Sequence, residues 1–362
     1  MNTKELSALY GDAQRCAQTI GLCYSSDAQM QGLTRHRHGK EWSFKDVGGR
    51  TITDQQIKEQ ILKLAIPPAW QNVWICPGLD GHILATGTDE KGRKQYIYHP
   101  QWRTMRDLIK FYRMMLFGTS LPRIRKSINT HLQRDGHDFY RVIAAMLWIM
   151  DSTYIRVGNE TYFQQNDSVG LTTLTDYNII TDGSMVAIGF NGKSGVEQHI
   201  TFENPTVAKI VAESKDITGD RLFQYLDANG QRHAVTSTDI NKYLHEITGV
   251  AVSAKDFRTW GGTLAAFTHL IANQYTDKKT NKVMIEAVDA AAGVLGNTRS
   301  VAKSSYVHPH ILEAYAAENF SSLYDQVKTV RKKQGLDKRE TELLHFLELL
   351  FTSEFDLLKK GS

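Results

Sequence analysis

Five residues scattered along the chain are of the types that phosphoryl transfer uses: Tyr306, Arg156, Lys193, Arg258 and Asn297. A phenol with a reference pKa of about 10 is a nucleophile at neutral pH only where cations or a base favour its ionised form. In Tyr154-Ile-Arg156-Val-Gly-Asn159-Glu160 the arginine leaves an apolar helix for a loop opened by Gly158, where its planar fork either grips a phosphate or pairs with Glu160. Lys193 stands at the tip of a tight glycine turn, either as a proton donor to a leaving oxygen or as a plain surface lysine. Lys255 and Arg258 are spaced i, i+3 at a helix start, so both project to one side. Asn297, shortly before Tyr306, either donates an amide to an anionic oxygen or caps the helix that follows. In-line attack on a phosphodiester gathers negative charge on the nonbridging oxygens, which guanidinium forks stabilise, and the departing oxygen needs a proton. No carboxylate cluster or phosphate-cradling glycine loop stands beside these residues, so the chemistry requires neither metal nor ATP.

The elements around them predict an α+β chain of two domains. Residues 1–104 read as a small β-rich domain with a helix over 4–19 and a turn-rich stretch holding strand ends at 34–38 and a hairpin turn at 46–49. A helix over 54–64, closed by Pro67-Pro68, leads to strands at 73–76, 82–86 and 94–99. Alternation in the last strand puts Lys94, Tyr96 and Tyr98 on one face and Gln95, Ile97 and His99 on the other. With Arg93 and Arg103 nearby, the first face suits sugars and phosphates; packing of the two tyrosines is the alternative. Residues 105–362 read as mainly helical, over 102–117, 122–134, 137–151, 205–225, 237–248, 254–272 and 280–295, with a hairpin over 185–202. Gly296 ends the last of these helices, and a short helix carrying Arg299, Val301 and Lys303 precedes Tyr306. In the tail, Leu343, Leu344, Phe346, Leu347, Leu350 and Phe351 form a broad apolar face.

Composition narrows the class further. The 362 residues are 41% apolar and 23% charged, as in water-soluble domains, and no apolar run approaches a membrane span. Met1-Asn-Thr-Lys-Glu lacks the apolar core of a signal peptide, and Cys16, Cys23 and Cys76 suggest neither a disulfide framework nor a zinc site. A reducing cytoplasm is expected. Net charge is only +4, yet residues 91–141 hold twelve Lys or Arg against Asp107, Asp135 and Asp138. Such a belt either binds a polyanion or is a solvated helical face.

Several stretches, in their shared order and spacing, resemble the type IB DNA topoisomerases, in particular the compact bacterial and poxvirus-like branch. They are Ile66-Pro-Pro-Ala-Trp70, Val73-Trp-Ile-Cys-Pro77, Gly92-Arg-Lys-Gln-Tyr-Ile-Tyr-His-Pro100, Arg156-Val-Gly-Asn-Glu160, Gly192-Lys193, Lys255-Asp-Phe-Arg-Thr-Trp-Gly-Gly-Thr263 and Ser305-Tyr-Val-His-Pro309. The resemblance implies that Tyr306 forms a 3′-phosphotyrosyl link and releases a 5′ hydroxyl. Arg156 and Arg258 would hold the scissile phosphate, and Lys193 would be the general acid. Asn297 stands where the family usually has histidine; it can donate a hydrogen bond but cannot become cationic. The resemblance also implies a monomer that clamps duplex DNA without ATP or obligatory divalent metal. Arg93, Lys94, Gln95, Tyr96, Tyr98, Arg103, Tyr162 and Lys255 would lie near the backbone or groove.

Two other functions fit parts of this pattern. A site-specific tyrosine recombinase uses a similar constellation, although recombinases typically carry His-x-x-Arg where this chain has Lys255-Asp-Phe-Arg258. A DNA-binding protein without catalysis would need the basic belt but not Tyr306.

Overall fold

The structure, a computed structural model, describes residues 9, 12–39, 41–166, 168–192, 195–217, 219–274 and 279–360. It divides between Tyr112 and Arg113 into two compact units, and the fold class is α+β.

In the first unit, α1 (Ala13–Thr19) precedes strands β1 (Leu33–His38) and β2 (Glu41–Lys45), and α2 (Gln55–Lys63) precedes β3 (Gln71–Ile75), β4 (Ile83–Thr88) and β5 (Lys94–Tyr98). The strands pair antiparallel in the order β2-β1-β3-β4-β5. Asp54 caps α2 by accepting from the amides of Gln56 and Ile57, and Ile61 on its apolar side enters a core with Leu33, Phe44, Val73, Ile75 and Ala85. Of the helix read over 4–19, residues 4–8, 10 and 11 lie outside the described residues.

The second unit is mainly helical. One helix, α3 (Pro100–Leu132), begins in the first unit and continues into the second; it replaces the two read over 102–117 and 122–134, and it runs through Pro122. An interior proline costs about 3 kcal/mol, and burial of Phe117, Leu121, Ile124 and Ile128 along the same helix offsets that. α4 (Phe139–Thr153) is buried almost all round from Arg141 to Met150, and the rest of the core assembles on it. After α5 (Glu160–Asn166), strands β6 (Ile179–Asp182), β7 (Met185–Asn191) and β8 (Glu197–Glu203) form an antiparallel sheet, adding β6 to the expected hairpin. β6 carries no polar–apolar alternation in its sequence, because Ile180 is exposed beside the buried Ile179.

The helix read over 205–225 stops early, as α6 (Pro205–Lys215), and a hairpin of β9 (Gln224–Leu226) and β10 (Arg232–Ala234) follows. Gly219 admits the Gln224 side chain where a Cβ would stand only 2.4 Å from its amide, and Gln224 in turn donates to the Arg221 carbonyl at 2.7 Å. Then come α7 (Ser237–Thr248), α8 (Ala254–Ala272), α9 (Thr280–Leu295), α10 (Arg299–Ser305), α11 (Pro309–Ala316), α12 (Phe320–Val327) and α13 (Lys338–Lys360). Among the described residues no helix is long and apolar enough to cross a membrane.

Candidate active site

Four chain segments of the second unit meet around Tyr306. The tyrosine follows α10, where its amide donates to the Ala302 carbonyl at 3.0 Å. Its own carbonyl accepts from the hydroxyl of Thr263 on α8 at 3.0 Å, and the same hydroxyl accepts from the His308 amide at 3.1 Å. Thr263 is fully buried, so it fastens the main chain on both sides of Tyr306 to α8 and leaves the phenol to other partners.

Two glycines on α8 make that approach possible. A Cβ on Gly262 would stand 2.8 Å from the Leu295 side chain and 3.2 Å from the Tyr306 Cβ. A Cβ on Gly261 would lie 2.4–2.6 Å from three ring atoms of Tyr154. Alanine in a helix interior is favoured over glycine by about 1 kcal/mol, whereas overpacking against a ring costs about 1–3 kcal/mol. Gly261→Ala is therefore expected to lower stability by up to about 2 kcal/mol, read as a fall in thermal midpoint; a rise would contradict the packing described.

Tyr154 ends α4 in the left-handed region, at φ +54°. Its carbonyl accepts from Arg258, whose second Nη donates to the Leu295 carbonyl at 2.9 Å. Arg258 is only 4% exposed and its guanidinium lies over the Tyr306 ring, 4.9 Å from the centroid. Arg156, two residues beyond Tyr154, donates to the side-chain oxygen of Asn297. Gly158, at φ +91°, lets this segment lie backbone to backbone on Gly170, with the Arg156 and Val157 carbonyls accepting from Leu171 and Thr172 at 2.8 and 2.7 Å.

The hydrogen bonds of both guanidiniums thus go to neutral oxygens. Glu160, the alternative partner for Arg156, is taken by Arg221 at 2.6 Å. Burial pulls the Arg258 pKa down to about 10, and the like charge of Arg156 adds to that. At neutral pH Arg258 remains a cation, close enough to Arg156 to feel its charge. Burial pushes the Tyr306 phenol up, but the charge of Arg258 and its hydrogen bond to the phenol, with the charges of Arg156 and Lys255, outweigh it, so the net shift is downward. Two buried donors here have no hydrogen-bond partner among the described residues: Arg258 Nε and Asn297 Nδ2. Buried donors left open beside paired cations suit an anion.

Asn297 caps nothing with its side chain; Thr298 is the cap of α10. Gly296, at φ +57°, ends α9, and Gln198 on β8 occupies the space a Cβ there would need, donating to the Gly296 carbonyl at 3.4 Å. That contact ties the β7–β8 hairpin to the site. Lys193, in its turn, lies outside the described residues. Lys255 is exposed on the first turn of α8, and Tyr162 lies on α5 with its side chain outside the described ones.

In the first unit Tyr96 and Tyr98 stack at 5.8 Å with Lys94 over Tyr96, so these three share a face. Lys94 pairs with Asp27 at 2.7 Å, while Arg93 and Gln95 both donate to Asp89. Arg103 is exposed on α3. The basic belt is much less free than its composition suggests. Arg113 pairs with Asp256, Arg125 with Asp151 and Glu340, Arg134 with Asp138, and Arg141 with Glu213. Thr263, Tyr154 and Gln198 carry no functional mark of their own in the sequence; the Gly261-Gly262 pair inside a helix is the sign that something packs closely there.

The family model described as the eukaryotic DNA topoisomerase I catalytic core matches residues 99–334, and that of the bacterial DNA topoisomerase IB N-terminal domain matches residues 41–89. The DNA topoisomerase 1B of Acanthamoeba polyphaga mimivirus is 32% identical over 308 residues, covering 81% of this chain and 90% of the relative. The DNA topoisomerase 1B of Vaccinia virus (strain Copenhagen) is 26% identical over 251 residues, covering 66% and 74%.

Proposed function

Because the chain belongs to the type IB DNA topoisomerase family, we propose that this isomerase relaxes supercoiled duplex DNA by transesterification through Tyr306, strand rotation and religation. The observation that carries the reading is the buried guanidinium of Arg258 and the half-buried one of Arg156 beside Tyr306, both hydrogen-bonded to neutral oxygens, with open donors at Arg258 Nε and Asn297 Nδ2.

In the cleavage step the Tyr306 oxygen attacks a backbone phosphorus in line with the 5′ oxygen. A bond from tyrosine to phosphorus forms, the bond from phosphorus to the 5′ oxygen breaks, and the phenol proton leaves to solvent. Arg156, Arg258 and the Asn297 amide hold the nonbridging oxygens, and Lys193 gives its proton to the 5′ oxygen. Asn297 takes a hydrogen-bonding role without adding charge. The phosphodiester energy is kept in the phosphotyrosine, so religation by the 5′ hydroxyl is the same step reversed. Neither ATP nor a divalent metal enters. The protein acts as a monomer on double-stranded DNA in the cytoplasm, with Lys255, Arg93, Lys94, Gln95, Tyr96, Tyr98, Arg103 and Tyr162 contributing DNA contacts.

Purified protein in EDTA and without ATP is expected to relax both positively and negatively supercoiled plasmid; DNA binding without relaxation of either would overturn the reading. For Lys193 the expected result is specific. Lys193→Ala slows cleavage of ordinary DNA by about 10²- to 10⁴-fold, the range of general-acid catalysis. The defect shrinks on a substrate with sulfur at the 5′ bridging position, since a thiolate leaves without a proton. Equal defects on both substrates would remove Lys193 from that role.

A further inference from the structure

We propose that Glu340, on the C-terminal helix and beyond the segment matched by the catalytic-core model, is a positioning residue for strand cleavage that sets Arg258 through Trp260. The inference rests on the cleavage reading above. Glu340 is 3% exposed, and its carboxylate accepts from Trp260 Nε1 at 3.3 Å, from the two Nη atoms of Arg125 at 2.7 and 2.8 Å, and from the Asp337 amide at 2.8 Å. Arg125 also donates to Asp151 at 2.7 and 3.1 Å. One carboxylate and one guanidinium therefore join α3, α4, α8 and α13. They also meet the two elements that carry the site arginines. Asp151 lies in the last turn of α4, just before Tyr154 and Arg156, and Trp260 lies on α8 beside Arg258.

Trp260 is held tightly from the other side. It is 1% exposed, and a Cβ on Gly118 would stand 2.6 Å from its ring. Two helical positions separate it from Arg258, about 200° around α8, so the anchor and the site arginine lie on opposite sides of one axis. A rotation of roughly 8° moves a head group about 7 Å from that axis by about 1 Å, and misplacement on that scale costs up to about 10²-fold in rate. Buried ion-pair networks contribute little net stability compared with apolar packing but fix geometry. Here the geometry fixed is that of α8 against α4.

The test is single-turnover formation of SDS-stable adduct on a labelled duplex, nicked beyond a mapped cleavage site so that cleavage is not reversed. Glu340→Gln, which turns an amide toward donors, is expected to slow the rate constant about tenfold and to shift its acid limb to higher pH, with the end-point yield kept. The pH shift follows because the groups that lower the Tyr306 phenol are Arg258, Arg156 and Lys255, and Arg258 would have moved. Trp260→Phe, which removes one N–H and keeps a ring, is expected to do the same, and the double variant to be no slower than the slower single one. Unchanged rate constant and pH midpoint overturn the proposal, as does loss of yield at an unchanged rate. Fully multiplicative defects overturn it too. Should Glu340→Gln fail to fold, Trp260→Phe decides by the same readout. No adduct with the unaltered protein would instead defeat the cleavage reading itself.

Discussion

Tyr306→Phe is expected to abolish plasmid relaxation, with a loss on the order of 10⁶-fold, the scale seen when a covalent nucleophile is deleted. The fold should survive this change. The hydrogen bond from Thr263 reaches the backbone carbonyl of residue 306, so phenylalanine keeps it and the ring face against Arg258, and gives up only the hydrogen bond between Arg258 and the phenol. DNA affinity and thermal midpoint should stay close to those of the unaltered protein, which separates loss of chemistry from loss of structure. Relaxation at a tenth of the normal rate by Tyr306→Phe would show that another group attacks the phosphate.

Arg258→Lys is the second large effect, expected to slow cleavage by about 10²- to 10³-fold, the scale of losing one preorganised donor at a developing anion. A lysine presents a point charge where a planar fork now donates to the Tyr154 and Leu295 carbonyls. It cannot serve both and also leave a donor open toward Tyr306. The phenol loses part of the charge that lowers its pKa, so the acid limb of the rate profile should move to higher pH. Single-turnover cleavage across a pH series measures both. A uniform fall in rate with an unmoved limb would mean that Arg258 acts on the phosphate alone and not on the nucleophile.

Much of the fold was readable in the sequence because its signals are local. Turn residues and alternation point to β1, β3, β4 and β5 in the first unit but not to β2, and apolar periodicity with end signals places α8 and α9 to the residue. Pro122 misled because its local penalty is outweighed by burial of distant neighbours. The basic belt misled for a related reason. Arg113, Arg125 and Arg141 find their acids at positions 256, 340 and 213, which no local window contains. In the site, residue types named Tyr306, Arg156, Arg258 and Asn297, and the structure brings these four together. The scaffolding was hidden. Thr263 matters because its hydroxyl reaches the main chain around Tyr306, and Tyr154 because its carbonyl faces Arg258. Both are contacts between segments far apart in the chain. A helix cap is the simpler reading of Asn297 from the sequence, and Thr298 takes that place instead.

The central claim is that Tyr306 attacks a DNA phosphate, and trapping with SDS followed by nuclease and protease digestion tests it most directly. Mass spectrometry of the resulting peptides is predicted to find a 3′-linked nucleotide on Tyr306, with a free 5′ hydroxyl on the released strand. A nucleotide linked to another residue, a 5′-phosphoryl linkage, or no covalent nucleotide from DNA that the protein has relaxed would contradict it.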